Sequence, residues 1–545
     1  MPPEAVAVVP ERKIMGKDTP DTQLEGIAGV ASRKSLYKPT GLVTGPPRED
    51  KAFLGHPGGL PWMLQVEMWE RFSWFGMRAI LVYFLTDTIA NGGMGLSDNA
   101  GQVVMASYGA GVLLMTIPGG VLADRLLGPW LSTLSGGAVI MGGHLVLAIP
   151  TVPTSWVGLV LIAIGTGLIK PNLSTVVGGL YEDGDPRRDQ GFLFFYMSIN
   201  IGSLFAPLVT GFLKDRYGYH IGFIAAAIGM AFALVAFVYG RRKLREFAFN
   251  IPYPLRKGEG RKLSLAAVAV LVGFLALVAL CTAIFGELTS GIAYSLFFFA
   301  VGTSLFYFLT MFKSPQVTSH ERGHLMAFIP LWVGQVLFVM IFEQAAGKMA
   351  TFARDNTDGA VGSLFTLTPE QYQMFNPIFV LIFAPILGWI FAKTQGHFPN
   401  TPQKFALSVF IIGLSALLMG FGFGQWPGGE GGLSPWWFLV AVFAVQTVAE
   451  VMMNPIGLSS ATKLAPVKFA SQTMTLWLLA AACGQGLAAV VIERTSALGD
   501  VVFYYGVGGV TLVVAVCLFL ISPWTQRHME DVDRLEAMEA ETAAE

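Results

Sequence analysis

Charge is scarce in this sequence. Asp, Glu, Lys and Arg make up 13% of the 545 residues, against about 25% in soluble domains. Hydrophobic residues make up 53%, so the chain reads as a polytopic membrane protein, not a soluble one with an anchor. Cysteine is scarcer still. Cys281, Cys483 and Cys517 sit in apolar runs with no CxxC or metal-ligand spacing, which argues against disulfides and zinc. No hydrolase or kinase motif supports an enzyme, and neither a bound cofactor nor a nucleic-acid partner is expected.

What is present is a long succession of apolar runs. About 20 such residues cross a bilayer, and on that basis the chain divides into about 14 spans. The first lies at 60–91 and the ninth at 324–355. Six spans, then two, then six make an all-α membrane protein of two six-helix halves with an inserted hairpin. The expected divisions start with a polar, mostly disordered tail at 1–56 that lacks a signal-peptide core. A first bundle at 57–245, a linker with the hairpin at 246–318, a second bundle at 319–524 and a tail at 525–545 follow. The hairpin carries no charge in its apolar cores and is expected to pack or face lipid. A weak echo relates the halves: Pro118-x-Gly120-x-x-x-Asp124-Arg125 and Pro385-x-x-Gly388-x-x-x-x-Lys393. Repeated halves with polar groups at mid-membrane are the architecture of secondary transporters.

Lys and Arg set the expected orientation. The stretch 241–262 is rich in both, and Arg187, Arg188, Lys313, Lys393, Lys404, Lys463 and Lys468 fall on the same side. The loops at 87–98, 151–156 and 425–433 hold neither. Lys214 and Arg216 are exceptions. Both termini are therefore expected in the cytoplasm.

The first span breaks the apolar pattern with Glu67-Met68-Trp69-Glu70-Arg71-Phe72-Ser73-Trp74-Phe75-Gly76-Met77-Arg78. A charge at bilayer depth costs about 2.5–3.5 kcal/mol, so four on one helix must face protein, water or each other. At about 100° per residue, Glu67, Glu70, Arg71, Trp74 and Arg78 share an arc of about 100°. Two acids and two bases form a neutral, titratable stripe that reads as an ion or substrate pathway.

Elsewhere few ionisable residues occupy span interiors: Lys170 in the fourth span, Glu343 and Lys348 in the ninth, Glu450 in the twelfth. Counted at about 1.5 Å per residue, Arg78, Lys170, Glu343 and Glu450 lie near the middle or in the outer half of their spans. They can meet at one central cavity. Arg71, Arg78 and Lys170 put positive charge in the first half; Glu343 and Glu450 put negative charge in the second. A zwitterion about one dipeptide long suits that dipole, its carboxylate on a bidentate Arg and its ammonium on the acids. Glu67, Glu70 and Glu343 are candidate proton carriers, because a desolvated carboxylate without its cation is poised to take a proton.

Tyr108, Asn200, Gln344 and Asn376 are polar neighbours in apolar spans. Plainer readings stay open. Glu67 and Glu70 can merely neutralise Arg71 and Arg78, and Glu343 and Glu450 can be structural partners. Lys170, just before Pro171, can snorkel. Tyr108, Tyr196 and Trp477 can be helix packing, and Asn200 and Asn376 can bridge helices. Lys348 is expected to reach the outer headgroups, with an added charge at the cavity or outer gate as the other reading. Asp124-Arg125 and Asp215-Arg216 suit gating or topology more than substrate binding.

At these residues the chain resembles the proton-dependent oligopeptide transporter family of the major facilitator superfamily, over roughly residues 56–524. The resemblance rests on Glu67-x-x-Glu70-Arg71-Phe72, on Gly167 to Asn172, and on Phe195-Tyr196-Met197-Ser198-Ile199-Asn200-Ile201-Gly202. Phe342-Glu343-Gln344, Asn376-Pro377 and Asn454-Pro455-Ile456-Gly457-Leu458 agree, and the Gly-x-x-x-Asp124-Arg125 loop resembles a superfamily motif. The resemblance implies 12 core spans plus the hairpin typical of bacterial members, hence a bacterial inner membrane. It implies that Glu67, Glu70, Arg71 and Lys170 couple protons and recognise carboxylate. Arg78 and Glu343 would gate the outer side, Asn376 and Glu450 hold a peptide amino terminus, and Asn200 bind peptide backbone. Tyr108, Tyr196 and Trp477 would line the cavity. Two positions depart from the family. Trp74 and Phe75 stand where two tyrosines are usual, which removes two hydroxyls, and Lys348 stands where small polar residues are common.

The expected function is a proton-coupled symporter importing di- and tripeptides as a functional monomer in lipid. The alternatives are a same-fold symporter for nitrate or a carboxylate, a drug exporter, or a non-transporting receptor. Glu450 argues against a simple anion, which needs no ammonium partner.

Overall fold

Within lipid a lone span must satisfy its own backbone, and only a helix does so. The structure, a computed structural model, describes residues 46–182, 184–393 and 399–530, together with residue 42. The first half comprises α1 (Leu60–Thr86), α2 (Asp98–Leu122), α3 (Gly128–Leu147), α4 (Val152–Gly178), α5 (Arg187–Tyr217) and α6 (Tyr219–Gly240). The hairpin is α7 (Glu259–Phe285) and α8 (Leu288–Lys313). The second half comprises α9 (Ser319–Phe342), the short α10 (Lys348–Asp355), α11 (Phe375–Lys393), α12 (Thr401–Gln425), α13 (Trp436–Lys463), α14 (Ala470–Thr495) and α15 (Gly499–Arg527). Helix starts carry ordinary caps. Ser97 accepts from Ala100 N–H, Thr151 from Thr154 N–H, and Thr318 with Glu321 forms a reciprocal box.

The six-two-six order matches expectation, with two boundary corrections. The first span ends at Thr86, not near 91, because the Asp87 carboxylate accepts from Thr88 N–H and the Asn91 amide and turns the chain. The ninth span is not one helix. After Phe342 the backbone tightens into a 3₁₀ turn at Glu343–Ala346, and Gly347 separates it from α10.

The start of α1 and the ends of α4 and α6 share one membrane face with the Lys/Arg-rich stretch after α6; this is the basic face. Small residues bring helices into close contact. A Cβ on Gly165 of α4 would lie 2.6 Å from the Gly136 carbonyl oxygen of α3. In the hairpin, α7 is mostly exposed, with Cys281 its one buried residue. By contrast, α8 lies across both halves. Its Leu296 approaches Gly111 of α2, and its Phe297 backbone approaches Gly486 of α14.

The expected tail ends earlier than position 56. Residues 46–58 fold against the basic face, clasped by Arg187 at the start of α5. Its guanidinium donates to the carbonyls of Asp50, Gly55 and Pro47 and to both oxygens of Asp185. His56 is buried against Tyr181, with Nδ1 3.0 Å from the hydroxyl. Residues 1–41, 43–45 and 531–545, which hold the rest of the expected tails, lie outside the described residues.

Candidate functional site

The polar stripe of α1 faces inward. Glu67 and Arg71 stand four residues apart on one helical face, and Arg71 Nε donates to Glu67 Oε1 at 2.6 Å. Glu70 Oε2 lies 3.1 Å from the same nitrogen without hydrogen-bond geometry, so that contact is one of charge only. Both glutamates are buried. Lys170 of α4 lies within electrostatic range of Arg71, Glu70, Glu343 and Glu67. Among the described residues it makes no ion pair, and it lines a cavity. Two acids and two bases thus cancel, with one cation left unpaired.

Seven residues beyond Arg71, Arg78 forms an ion pair with Glu343 across the two halves. The break after Phe342 puts Glu343 in the 3₁₀ turn, off the regular path of α9. Beyond it, toward the face opposite the basic one, further contacts join the halves. Tyr83 Oη donates to the Ala350 carbonyl at 2.9 Å, and Gln102 Nε2 to Thr351 Oγ1 at 3.2 Å. Arg354 bonds Thr86 and Asp98. Lys214 and Glu370 pair at 2.7 Å.

In the second half, Asn376 Nδ2 donates to Glu450 Oε2 at 2.6 Å and to Thr447 Oγ1 at 3.1 Å. Asn454, one turn toward the basic face, donates to Glu450 Oε1 at 3.4 Å. Tyr196 of α5 is within electrostatic range of Glu450. It is 42% exposed, and Asn454 is exposed as well, so the gap between the halves is open toward the basic face.

A cavity of about 270 Å³ lies between the halves. It brings together Arg71, Trp74, Arg78, Tyr108, Lys170, Glu343 and Trp477, all singled out from the sequence. Trp74 stacks on Tyr108 with centroids 6.1 Å apart. Trp477 is buried over Gly457, where any side chain would collide with its indole. Tyr196, Asn200, Asn376 and Glu450 are not in its walls; Asn454, which is, bonds Glu450.

The family model PTR2, described as the POT family, matches residues 132–507. The chain belongs to the POT family. It is 38% identical over 496 residues to a di-/tripeptide transporter of Lactococcus lactis subsp. lactis (strain IL1403), covering 89% of this chain and 99% of that one. It is 40% identical to the uncharacterized transporter YclF of Bacillus subtilis (strain 168), covering 88% and 97%. Among solved structures, a mutant peptide transporter POT in complex with alafosfalin superposes with a TM-score of 0.81 at 37% identity, covering 89% and 97%. A POT family transporter in complex with 5-aminolevulinic acid gives a TM-score of 0.82 at 33% identity, covering 88% and 99%. The fold is accordingly that of the major facilitator superfamily, and the chain is a member of a transporter family, not of an enzyme family.

Other residues of this POT member sit away from the cavity. Asn200 bonds the Tyr196 carbonyl of its own helix at 2.9 Å, and among the described residues it bridges no helices. Asp124 and Arg125 lie in a π-helical turn at the basic-face end of α2. Arg125 is 3.9 Å from Glu259 at the start of the hairpin, and the Asp124 carbonyl accepts from Tyr253 N–H. Lys348 corrects its expectation. It does not extend to headgroups or enter the cavity; it is buried, paired with Asp500 at the start of α15, and placed over the Phe503 ring at 4.9 Å. Three cavity residues were missed: Gln102, Gln335 and Gln485. Each is polar in an apolar span, the same signal that picked out Tyr108.

Proposed function

We propose that the protein is a proton-coupled symporter that imports di- and tripeptides by alternating access. The observation that carries this reading is the separation of charge between the two halves, with the cations in the cavity walls and Glu450 joined to the cavity through Asn454. Arg71, Arg78 and the unpaired Lys170 stand on the first half; Glu450, held by Asn376, stands on the second. A free peptide offers a carboxylate to the first and an ammonium to the second. The named substrates of the relatives, di- and tripeptides among them, agree with that chemistry.

Proton coupling follows from the charge count. Glu67, Glu70, Arg71 and Lys170 sum to zero, so one added proton leaves a unit positive charge where the substrate carboxylate docks. Substrate and proton then tighten one another, as linkage requires. Arg78 and Glu343 hold the far side shut; neutralising Glu343 frees Arg78 and lets the halves part there. By the positive-inside rule the basic face is cytoplasmic, so this arrangement is open inward and both termini are cytoplasmic. We place the protein in a bacterial plasma membrane, working as a monomer.

Uptake into proteoliposomes under an imposed pH gradient tests the reading, with di-alanine, tri-alanine and nitrate as competitors. The expected result is acid-driven accumulation suppressed by both peptides and not by nitrate. Nitrate competition without peptide competition would replace it with an anion symporter.

A further inference from the structure

One part of the cavity is not accounted for by the charged cluster. It lies between α2, α9 and α14, beside Tyr108 and Arg78, and Glu450 is not among its walls. Three amides surround it: Gln102, Gln335 and Gln485. Gln485 is 8% exposed and makes no hydrogen bond among the described residues. It follows Trp477 and Ala481 along the cavity face of α14. Its amide stands against Gly109 of α2, where an added Cβ would collide with Gln485 Oε1. Only glycine leaves the amide in this position.

Across the space, the buried Gln335 has a carboxamide oxygen without a partner, and the Tyr108 hydroxyl has none either. Buried polar groups left unmade are costly, so the Gln335 oxygen and the Tyr108 hydroxyl, with the unbonded Gln485 amide in the same cavity walls, call for a ligand that pairs them. Amides both donate and accept and carry no charge. Their complement is an uncharged group that also donates and accepts. An apolar side chain would leave them unpaired and dry, and a cationic one would meet Arg78 and Lys170.

We propose that this arm is a side-chain subsite for a carboxamide or hydroxyl on the residue next to the substrate's carboxylate, with Gln485 as its direct ligand. This rests on the peptide reading above. The carboxylate sits at Arg71, Arg78 and Lys170, onto which the arm opens, and the ammonium sits at Glu450, outside it.

Competition against di-alanine uptake tests the subsite. Ala-Asn and Ala-Leu are near-isosteric, and Asn-Ala and Leu-Ala carry the same side chains at the other position. The wild type is expected to favour Ala-Asn over Ala-Leu. Gln485→Leu should reduce that ratio about tenfold, the effect of one buried neutral hydrogen bond, and leave the Asn-Ala to Leu-Ala ratio unchanged. Gly109→Ala keeps Gln485 but displaces its amide, and should reproduce the loss. If Gln485→Leu fails to accumulate, Gly109→Ala and Gln485→Met carry the comparison. Unchanged ratios in the variants would overturn the subsite. Equal changes in both peptide pairs would overturn its place beside the carboxylate. Absence of wild-type di-alanine uptake would remove the peptide reading and the subsite with it.

Discussion

Lys214 of α5 meets Glu370, in the turn before α11, at 2.7 Å, and the Glu370 side chain has no exposed surface. The same ammonium lies 2.7 Å from Asp215 and about equally far from the Tyr83 and Tyr219 rings, at 5.6 and 5.7 Å. A lysine that breaks the positive-inside pattern is thus a tie between the two halves.

Lys214→Met leaves the Glu370 carboxylate buried without its cation, which is worse than removing both charges. Labelling of a cysteine placed at Met105, by a membrane-impermeant thiol reagent added from the face opposite the basic one, should quicken. A coupling of about 1–3 kcal/mol corresponds to a shift of at least about fivefold. Adding Glu370→Gln should recover part of the wild-type rate. Labelling as slow as in the wild type would show that the pair does not hold the gate.

Glu67→Gln and Glu70→Gln each remove a proton acceptor beside Arg71. Both variants should lose acid-driven accumulation and retain peptide exchange between loaded and unloaded vesicles. Accumulation at the wild-type rate in both would take the coupling role from this cluster.

Glu450→Ala removes the carboxylate that Asn376 holds. Inhibition constants for free dipeptides should rise about tenfold or more, consistent with a lost charge-assisted hydrogen bond. Amino-blocked dipeptides should change far less. An equal loss for both classes would place the ammonium elsewhere.

The His56 clasp should depend on pH. Burial, and then the nearby Arg187 charge, lower the His56 pKa below its ordinary 6.5, against a smaller opposing pull from Asp185. The released segment therefore binds its proton at higher pH than the clasped one. The clasp is at full strength above pH 6.5 and weakens as pH falls toward the lowered value. Tryptic cleavage after the exposed Lys51 should quicken between pH 7.5 and about 5.5 once corrected for trypsin's own profile. His56→Gln should flatten that dependence; a slope unchanged by the substitution would exclude His56 as its source.

The α1 cluster was legible because lipid punishes charge and the helical period fixes which residues share a face. Depth along each span was enough to place Arg78 and Glu343 at one central level; that they pair was implied by the family resemblance. The partners of Lys348 and Lys214 were not legible. Asp500 opens a helix far along the chain and Glu370 sits in a polar turn, where acids are unremarkable without the fold. The break at Glu343–Gly347 was hidden because no proline marks it and Gly347 is not the first glycine in the span, Gly334 lying within α9 without breaking it. The clasp at 46–58 has no periodicity to betray it; its order comes from Arg187, more than 120 positions away.

Because α8 rests on both α2 and α14, the two seams between the halves are unequal. On its side, Glu493 of α14 accepts from Ser290 of α8 at 2.6 Å and from Asn99 of α2 at 3.3 Å, one carboxylate serving three helices. The seam between α5 and α11 has no such splint among the described residues. Any rocking of the halves should then pivot along the α2–α14 edge and gape along the other. Paired spin labels would register this as a wide spread of distances across α5–α11 and a narrow one across α2–α14.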